Sequence, residues 1–234
     1  MTLKSFGCSF IFGSDLADDG RDGPYATPSQ LTWPALLAQH LGHQYECHAR
    51  PGSGNLQILE RMLNQAATSS GTDLFVIGWT WIDRFDYYDS NYDPTTKRTP
   101  WSTVMPIDKT SVAKTYYKHL HSEYRDKFSC LSYIKLAIDT LDQHGIPFVM
   151  TYMDELLFDR RWHISPSVTE LQSYIRPRMT TFDGQTFLDW SRRHKFAVSD
   201  TWHPLEQAHA AAADYMISVF DTQKTIDPTQ PAHV

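Results

Sequence analysis

The chain is poor in cysteine. Cys8, Cys47 and Cys130 are all that its 234 residues contain, an odd number with no C-x-x-C spacing. That count argues against a disulfide framework and a structural zinc site, and it points to a reducing, cytoplasmic setting. Long apolar runs are missing too. The first apolar stretch is broken by glycine and serine and runs into Asp15, Asp18 and Asp19 without a small-residue cleavage site, so it does not read as a secretory signal. No window approaches the ~20 apolar residues of a membrane-spanning helix, so no membrane partner is expected.

Positive charge is scarce. Lys and Arg number 21 against 27 Asp and Glu, a net charge of -6, and the basic runs go no further than Arg160-Arg161 and Arg192-Arg193-His194-Lys195. A broad basic face for nucleic acid is therefore not expected. There is no G-x-x-x-x-G-K-[ST] loop, and Gly52 and Gly54 lack the third glycine of a dinucleotide fingerprint. The pairs His40 with His43 and His119 with His121 have no acidic partner at a recognised ligand spacing. We expect neither a cofactor nor a metal, and the oligomeric state is not encoded legibly.

What is present is a globular composition, 41% apolar and 21% charged. Phe6 to Phe12 reads as a buried strand and its exit. Thr32 and Pro34 open a helix that Gly42 stops, Gln44 to Ala49 forms a second strand, and Asn55 caps a helix carrying Leu59, Met62, Leu63 and Ala66. The run from Asp73 to Trp79 and the run from Pro147 to Met153 are buried strands, and between them Cys130, Ile134, Ala137, Ile138 and Leu141 mark a helix ended by Gly145. Helices around 167–175 and 186–194, a short strand at Phe196 to Val198, and a last helix with Ala208, Ala212, Tyr215 and Met216 follow. Alternation of strand and helix predicts an α/β fold, a parallel sheet covered on both faces. We expect a single domain over residues 1–221 and a loosely attached tail at 222–234.

The alternation lapses at about 81–128, in an insertion rich in tyrosine with Trp101. It follows the carboxyl end of the third strand, where open α/β sheets bind ligands, so it either roofs a site or packs on itself as a surface excursion.

Three residues carry chemistry. Ser9 follows the first strand, and Asp200-Thr201-Trp202-His203-Pro204 places a carboxylate and an imidazole on one late turn. A serine hydroxyl is a poor nucleophile without a base in reach, and the base needs an orienting partner. His203 and Asp200 can supply both. The plainer alternative is that Asp200 caps the final helix.

Together these segments resemble the SGNH/GDSL hydrolases. Phe6-Gly7-Cys8-Ser9-Phe10 is similar to that family's first block, with Cys8 where the family has Asp, and Asp200 to Pro204 matches its late DxxHP block. The segment from Cys47 to Asn55 is similar to its second block. The resemblance implies a three-layer α/β/α flavodoxin-like sandwich with a central parallel sheet. It also implies Ser9, Asp200 and His203 as the catalytic set, with the backbone N–H groups of Ser9 and Gly52 holding the oxyanion. The third block departs from the pattern, since Ile77-Gly78-Trp79-Thr80-Trp81-Ile82-Asp83-Arg84 contains no Asn. Thr80, Trp81 and Arg84 are the candidate replacements for its carboxamide, unless Thr80 and Trp81 simply pack at the strand end. Trp79, Trp81, Arg84 and Asn55 are the candidate substrate contacts.

The expected activity is hydrolysis of a carboxylic ester through an acyl-serine, on a small-molecule or carbohydrate substrate such as an O-acetylated sugar. Activity should rise with pH as His203 loses its proton. The alternatives are an acyltransferase using the same serine and a non-catalytic module that binds a glycan or a protein on the same fold.

Overall fold

A computed structural model describes residues 1–20, 27–69, 71–95 and 99–226. In chain order the elements are β1 (Thr2–Phe6), α1 (Ser9–Phe12), α2 (Trp33–Leu41), β2 (Gln44–Cys47), α3 (Asn55–Ala66), β3 (Leu74–Trp79), β4 (Phe85–Tyr88), β5 (Trp101–Val104), α4 (Ser111–His119), α5 (Glu123–His144), β6 (Phe148–Tyr152), α6 (Pro166–Ile175), α7 (Phe187–Arg193) and α8 (Glu206–Ile226).

The main sheet runs β2-β1-β3-β6 with every pair parallel. β3 is buried along its whole length, as its unbroken apolar run requires of a strand covered on both faces. Its side chains alternate. Phe75, Ile77 and Trp79 join a core with Ile58 and Met62 of α3, Ile134 and Ile138 of α5 and Val168 of α6. Leu74 and Val76 join a second core with Trp33 and Leu37 of α2, Trp190 of α7 and Ala212 and Met216 of α8. The expected α/β/α sandwich is therefore the observed one.

The chain leaves β1 over one face, through α2 to β2, and leaves β2 over the other, through α3 to β3. Strand order reverses at β1, so the crevice beyond the carboxyl ends of β1 and β3 is the switch point of the sheet. Ser9 follows the first of these strands and Trp79 to Arg84 the other. Every residue singled out near the third strand falls at this crevice or beneath it.

Several local expectations change. The first strand ends at Phe6, and Ser9 to Phe12 is one turn of helix closed by the Gly13 N–H on the Ser9 carbonyl at 2.9 Å. Phe196 to Val198 is not a strand. Only an isolated bridge pairs Val198 with Pro204, because the chain turns back through residues 199 to 203 on one side and enters the last helix at Glu206 on the other. The last helix starts at Glu206, beyond Pro204, and runs to Ile226, into the stretch expected to be tail; residues 227–234 lie outside those described. The cap of α3 is Gly54 rather than Asn55. The insertion folds as the antiparallel pair β4-β5 followed by α4. Among the described residues no helix is long and apolar enough to cross a membrane.

Candidate active site

Ser9 begins α1 and is largely buried. Its Oγ lies 2.8 Å from His203 Nε2. His203 Nδ1 lies 2.6 Å from a carboxylate oxygen, and that carboxylate is Asp15, not Asp200. Asp15 follows the Gly13 cap in the left-handed region, at φ 74, a conformation that Asp adopts more readily than most residues.

The turn before α8 explains the exchange. Ser199 N–H donates to the His203 carbonyl at 2.9 Å, the Trp202 N–H donates to the Ser199 carbonyl at 2.9 Å, and the His203 N–H donates to Ser199 Oγ at 3.1 Å. This closes residues 199 to 203 into a tight loop, with Trp202 at φ 72. Ser199 and Thr201 then turn inward, and both hydroxyls donate to the Asp15 oxygen that faces His203. Asp200 is exposed at the edge of the cleft that Ser9 and His203 share, and among the described residues it makes no hydrogen bond or ion pair. Orientation of His203 by Asp200 is thus corrected: the geometry gives that contact to Asp15.

Burial opposes ionisation of Asp15, but the hydrogen bonds from Ser199, Thr201 and His203, and the charge of His203, outweigh it. The carboxyl is held well below the usual carboxylate range.

The Ser9 and His203 side chains open into a cleft of about 590 Å³. Phe10 and Trp81 form one side of it, in edge contact at 5.5 Å, with Arg84 stacked on Trp81 at 5.0 Å. Met105, Pro106 and Ile107 of the insertion form another, and Asp200 and Trp202 edge it. The insertion therefore does wall the site.

Trp81 and Arg84 reach the cleft as expected. Trp79 does not: it is fully buried among the α5 side of the core, because its place in β3 points it there. Asn55 is also sealed. Its Oδ1 accepts from Thr80 N–H at 2.8 Å, and its Nδ2 donates to the Thr80 carbonyl at 3.1 Å, so it pins the exit of β3 instead of meeting a substrate. The Thr80 hydroxyl is buried and has no hydrogen-bond partner among the described residues. An oxygen that water cannot reach is closed to a substrate oxyanion, so Thr80 is corrected as a donor.

Gly52 sits in the turn Arg50-Pro51-Gly52-Ser53, closed by Ser53 N–H on the Arg50 carbonyl at 3.3 Å. Its φ of 77 is the left-handed value required at the third position of a type II turn, with proline at the second. The Arg50 N–H donates to the Gly7 carbonyl at 3.1 Å, which fastens this turn beside the segment that carries Ser9.

Asp15 and Ser199 lie outside every motif the sequence offers, and Thr201 takes an unspecified position of the DxxHP block. Nothing local marks Asp15 among neighbouring aspartates, and its partner lies 188 residues away. Among the described residues, no group of three or more His, Cys, Asp or Glu converges to hold a metal ion.

A comparison of the sequence with family models found no match, and a comparison with curated proteins found none either. Solved structures do match. A member of the lipolytic G-D-S-L family from Veillonella parvula aligns over 94% of this chain and 98% of its own, with a TM-score of 0.52 at 13% identity. A family two carbohydrate esterase from Clostridium thermocellum, as an active-site mutant, aligns over 94% of this chain and 63% of its own, with a TM-score of 0.52 at 11% identity. An acetyl xylan esterase from the rumen bacterium Butyrivibrio proteoclasticus aligns over 95% of this chain and 64% of its own, with a TM-score of 0.50 at 11% identity. The chain has the fold that these proteins share.

Proposed function

We propose that this chain is a serine hydrolase acting on carboxylic esters. The observation that carries the reading is the relay from Ser9 Oγ to His203 Nε2, 2.8 Å, and from His203 Nδ1 to Asp15 Oδ2, 2.6 Å. An Nδ1–H held by Asp15 leaves the Nε2 lone pair facing the Ser9 hydroxyl, which is the tautomer a general base requires.

His203 takes the Ser9 proton as Oγ attacks the ester carbonyl, and Asp15 stabilises the imidazolium that forms. The N–H groups of Ser9 and Gly52 receive the oxyanion. His203 then protonates the departing alcohol, and the acyl-serine is released by a water that His203 deprotonates. Asp15, held ionised, needs no proton of its own. With Thr80 sealed, Trp81 and Arg84, which both line the cleft, remain the candidates for the third-block carboxamide.

We further propose a carbohydrate O-acetyl ester as substrate. Trp81 and Trp202 offer flat faces at the cleft, and Asp200, freed from His203, offers an acceptor for sugar hydroxyls. The names of the structural neighbours from Clostridium and Butyrivibrio are in keeping with that class.

Labelling with a fluorophosphonate tests the reaction. The wild type is expected to label at Ser9, and Ser9→Ala and His203→Ala to lose labelling. A folded wild type that neither labels nor cleaves a short-chain aryl ester or an acetylated sugar overturns the proposal. An acyl group passed to an added alcohol in preference to water would instead identify an acyltransferase.

A further inference from the structure

The insertion does more than wall the cleft. Asp86, in β4, is buried to 6% exposure and its carboxylate is spent on the second-block turn and the helix behind it. Oδ1 accepts from the Gly54 N–H at 3.0 Å and Oδ2 from the Gln57 N–H at 3.0 Å. Oδ1 also accepts from Gln57 Nε2 at 3.0 Å and from Thr103 Oγ1 at 2.6 Å. Thr103 is the direct cross-strand partner of Asp86 in the β4-β5 register, so the pair places its polar groups together on one face of the hairpin.

A second residue of the same segment acts in the same place. Arg84 lies two positions before Asp86, on the same side of an extended chain, and its Nη1 donates to the Ser53 carbonyl at 2.9 Å. From the other side Arg61 Nη2 donates to Ser53 Oγ at 2.9 Å and to the Gly7 carbonyl at 3.4 Å. Ser53 and Gly54, the residues directly after Gly52, are thus held by three charged side chains.

The contact is close enough to dictate a residue. A Cβ on Gly54 would sit 2.5 Å from an Asp86 carboxylate oxygen, so glycine is what lets the carboxylate reach the backbone there.

We infer that Asp86, braced by Thr103, is a positioning residue that holds the Gly52 turn in register with Ser9. The β4-β5 hairpin is on this account part of the oxyanion apparatus. The inference rests on the hydrolase reading above, because Gly52 matters as a donor only there. A buried carboxylate that accepts from a backbone N–H and from a paired threonine fixes the turn's position far better than solvent would. A displacement of a donor by about 1 Å is enough to cost on the order of 10²-fold in rate.

The test uses Thr103→Val, which removes one donor to Asp86 and keeps the side-chain shape, together with Asp86→Asn and Gly54→Ala. For each, fluorophosphonate titration counts the molecules whose Ser9 is competent, and turnover on an aryl acetate is expressed per competent site. The expected result is a fall in kcat of roughly three- to tenfold for Thr103→Val and tenfold or more for the other two. KM should stay within about twofold and the pH dependence of kcat should not move. Unaltered kcat per competent site in Thr103→Val and in any folded Asp86 or Gly54 variant overturns the inference. If the wild type itself fails to label, the hydrolase reading fails separately. Amide exchange then decides the clamp alone: faster exchange confined to residues 52–57 in Thr103→Val supports it, and unchanged exchange there refutes it.

Discussion

Asp15 and His203, 188 residues apart, meet through Oδ2 and Nδ1 at 2.6 Å, while Asp200, three residues before His203, is exposed and makes no bond to it. Separate substitutions distinguish the two carboxylates. Asp15→Asn should lower kcat by about 10²–10⁴, since an amide in that place favours the wrong imidazole tautomer. Asp200→Asn should leave kcat close to the wild type's, because Asp200 lies outside the proton relay. Steady-state turnover of an aryl acetate decides between them, and the opposite ranking would return the orienting role to Asp200.

The pH dependence follows from the same site. Asp15 has its folded pKa depressed well below the carboxylate range by hydrogen bonds that outweigh its burial. A carboxylate with a lowered folded pKa adds stability above its unfolded pKa, near 3.9, and loses it only as pH falls through the lower folded value. It is therefore already ionised across the range in which imidazoles titrate. The acid limb of kcat/KM should rise with a slope of one proton, with no second proton contributed by Asp15. A slope of two between pH 5 and 7 would show Asp15 titrating as well.

Much of this fold is legible in the residues. β3 announces itself as a buried strand because both its faces are covered, so the whole run is apolar; α5 does so because Cys130, Ile134, Ala137, Ile138 and Leu141 all point to one core. Spacing singles out Ser9 and His203, and the two meet in space at 2.8 Å. What the sequence hides is long-range. Asp15 is one of several aspartates in an early loop, and only the closure of residues 199 to 203 decides that Asp200 makes no bond to His203. Their place along the chain marks Asn55 and Trp79 as candidate site residues. Strand alternation and a backbone hydrogen bond to Thr80 bury them, and neither effect is visible locally.

Asn55 should accordingly behave as a structural residue. Asn55→Ala would leave the buried Thr80 N–H without its 2.8 Å acceptor, at a cost of about 1–3 kcal/mol. Urea unfolding is the measurement, and the loss should exceed that of Gln57→Ala at the far side of the turn only if the β3 exit, not the Asp86 contact, carries more of the stability. A variant as stable as the wild type would contradict this placement.

His209 supplies a stability switch of known sign. It is buried on α8, its Nδ1 accepts the Trp33 N–H at 3.1 Å, and burial, aided by the charge of His203, takes its pKa from 6.5 down to about 3. Between those values the unfolded chain binds a proton that the folded one refuses, so stability falls as pH drops, by at most about 1.4 kcal/mol per pH unit. Asp83, Asp126 and Asp154 act the other way, since burial raises each of them and their folded forms take up protons at a higher pH than the unfolded chain does. The net slope therefore mixes signs, and the comparison must be made between variants. His209→Gln keeps an acceptor for Trp33 without the titration. Its denaturation midpoint should lose less than the wild type's between pH 7 and pH 4.5, and parallel losses would remove His209 from the account.

Trp202 offers the most direct reading of substrate class. It is 60% exposed at the edge of the cleft and stands in the left-handed region at φ 72, where a bulky residue is strained. Arg192 stacks on its ring at 4.7 Å and holds it in place. A large side chain kept exposed at a strained position beside His203 has little to do for folding, since it joins neither core. If it is a platform for a sugar ring, Trp202→Ala should raise KM for an acetylated xyloside several-fold, the value of one aromatic contact of about 0.5–1.5 kcal/mol, and leave kcat on a plain aryl acetate unchanged. Trp202→Gly should do the same without loss of stability, because glycine adopts that φ freely. Equal losses on both substrates would place Trp202 in support of His203 instead of in contact with the sugar.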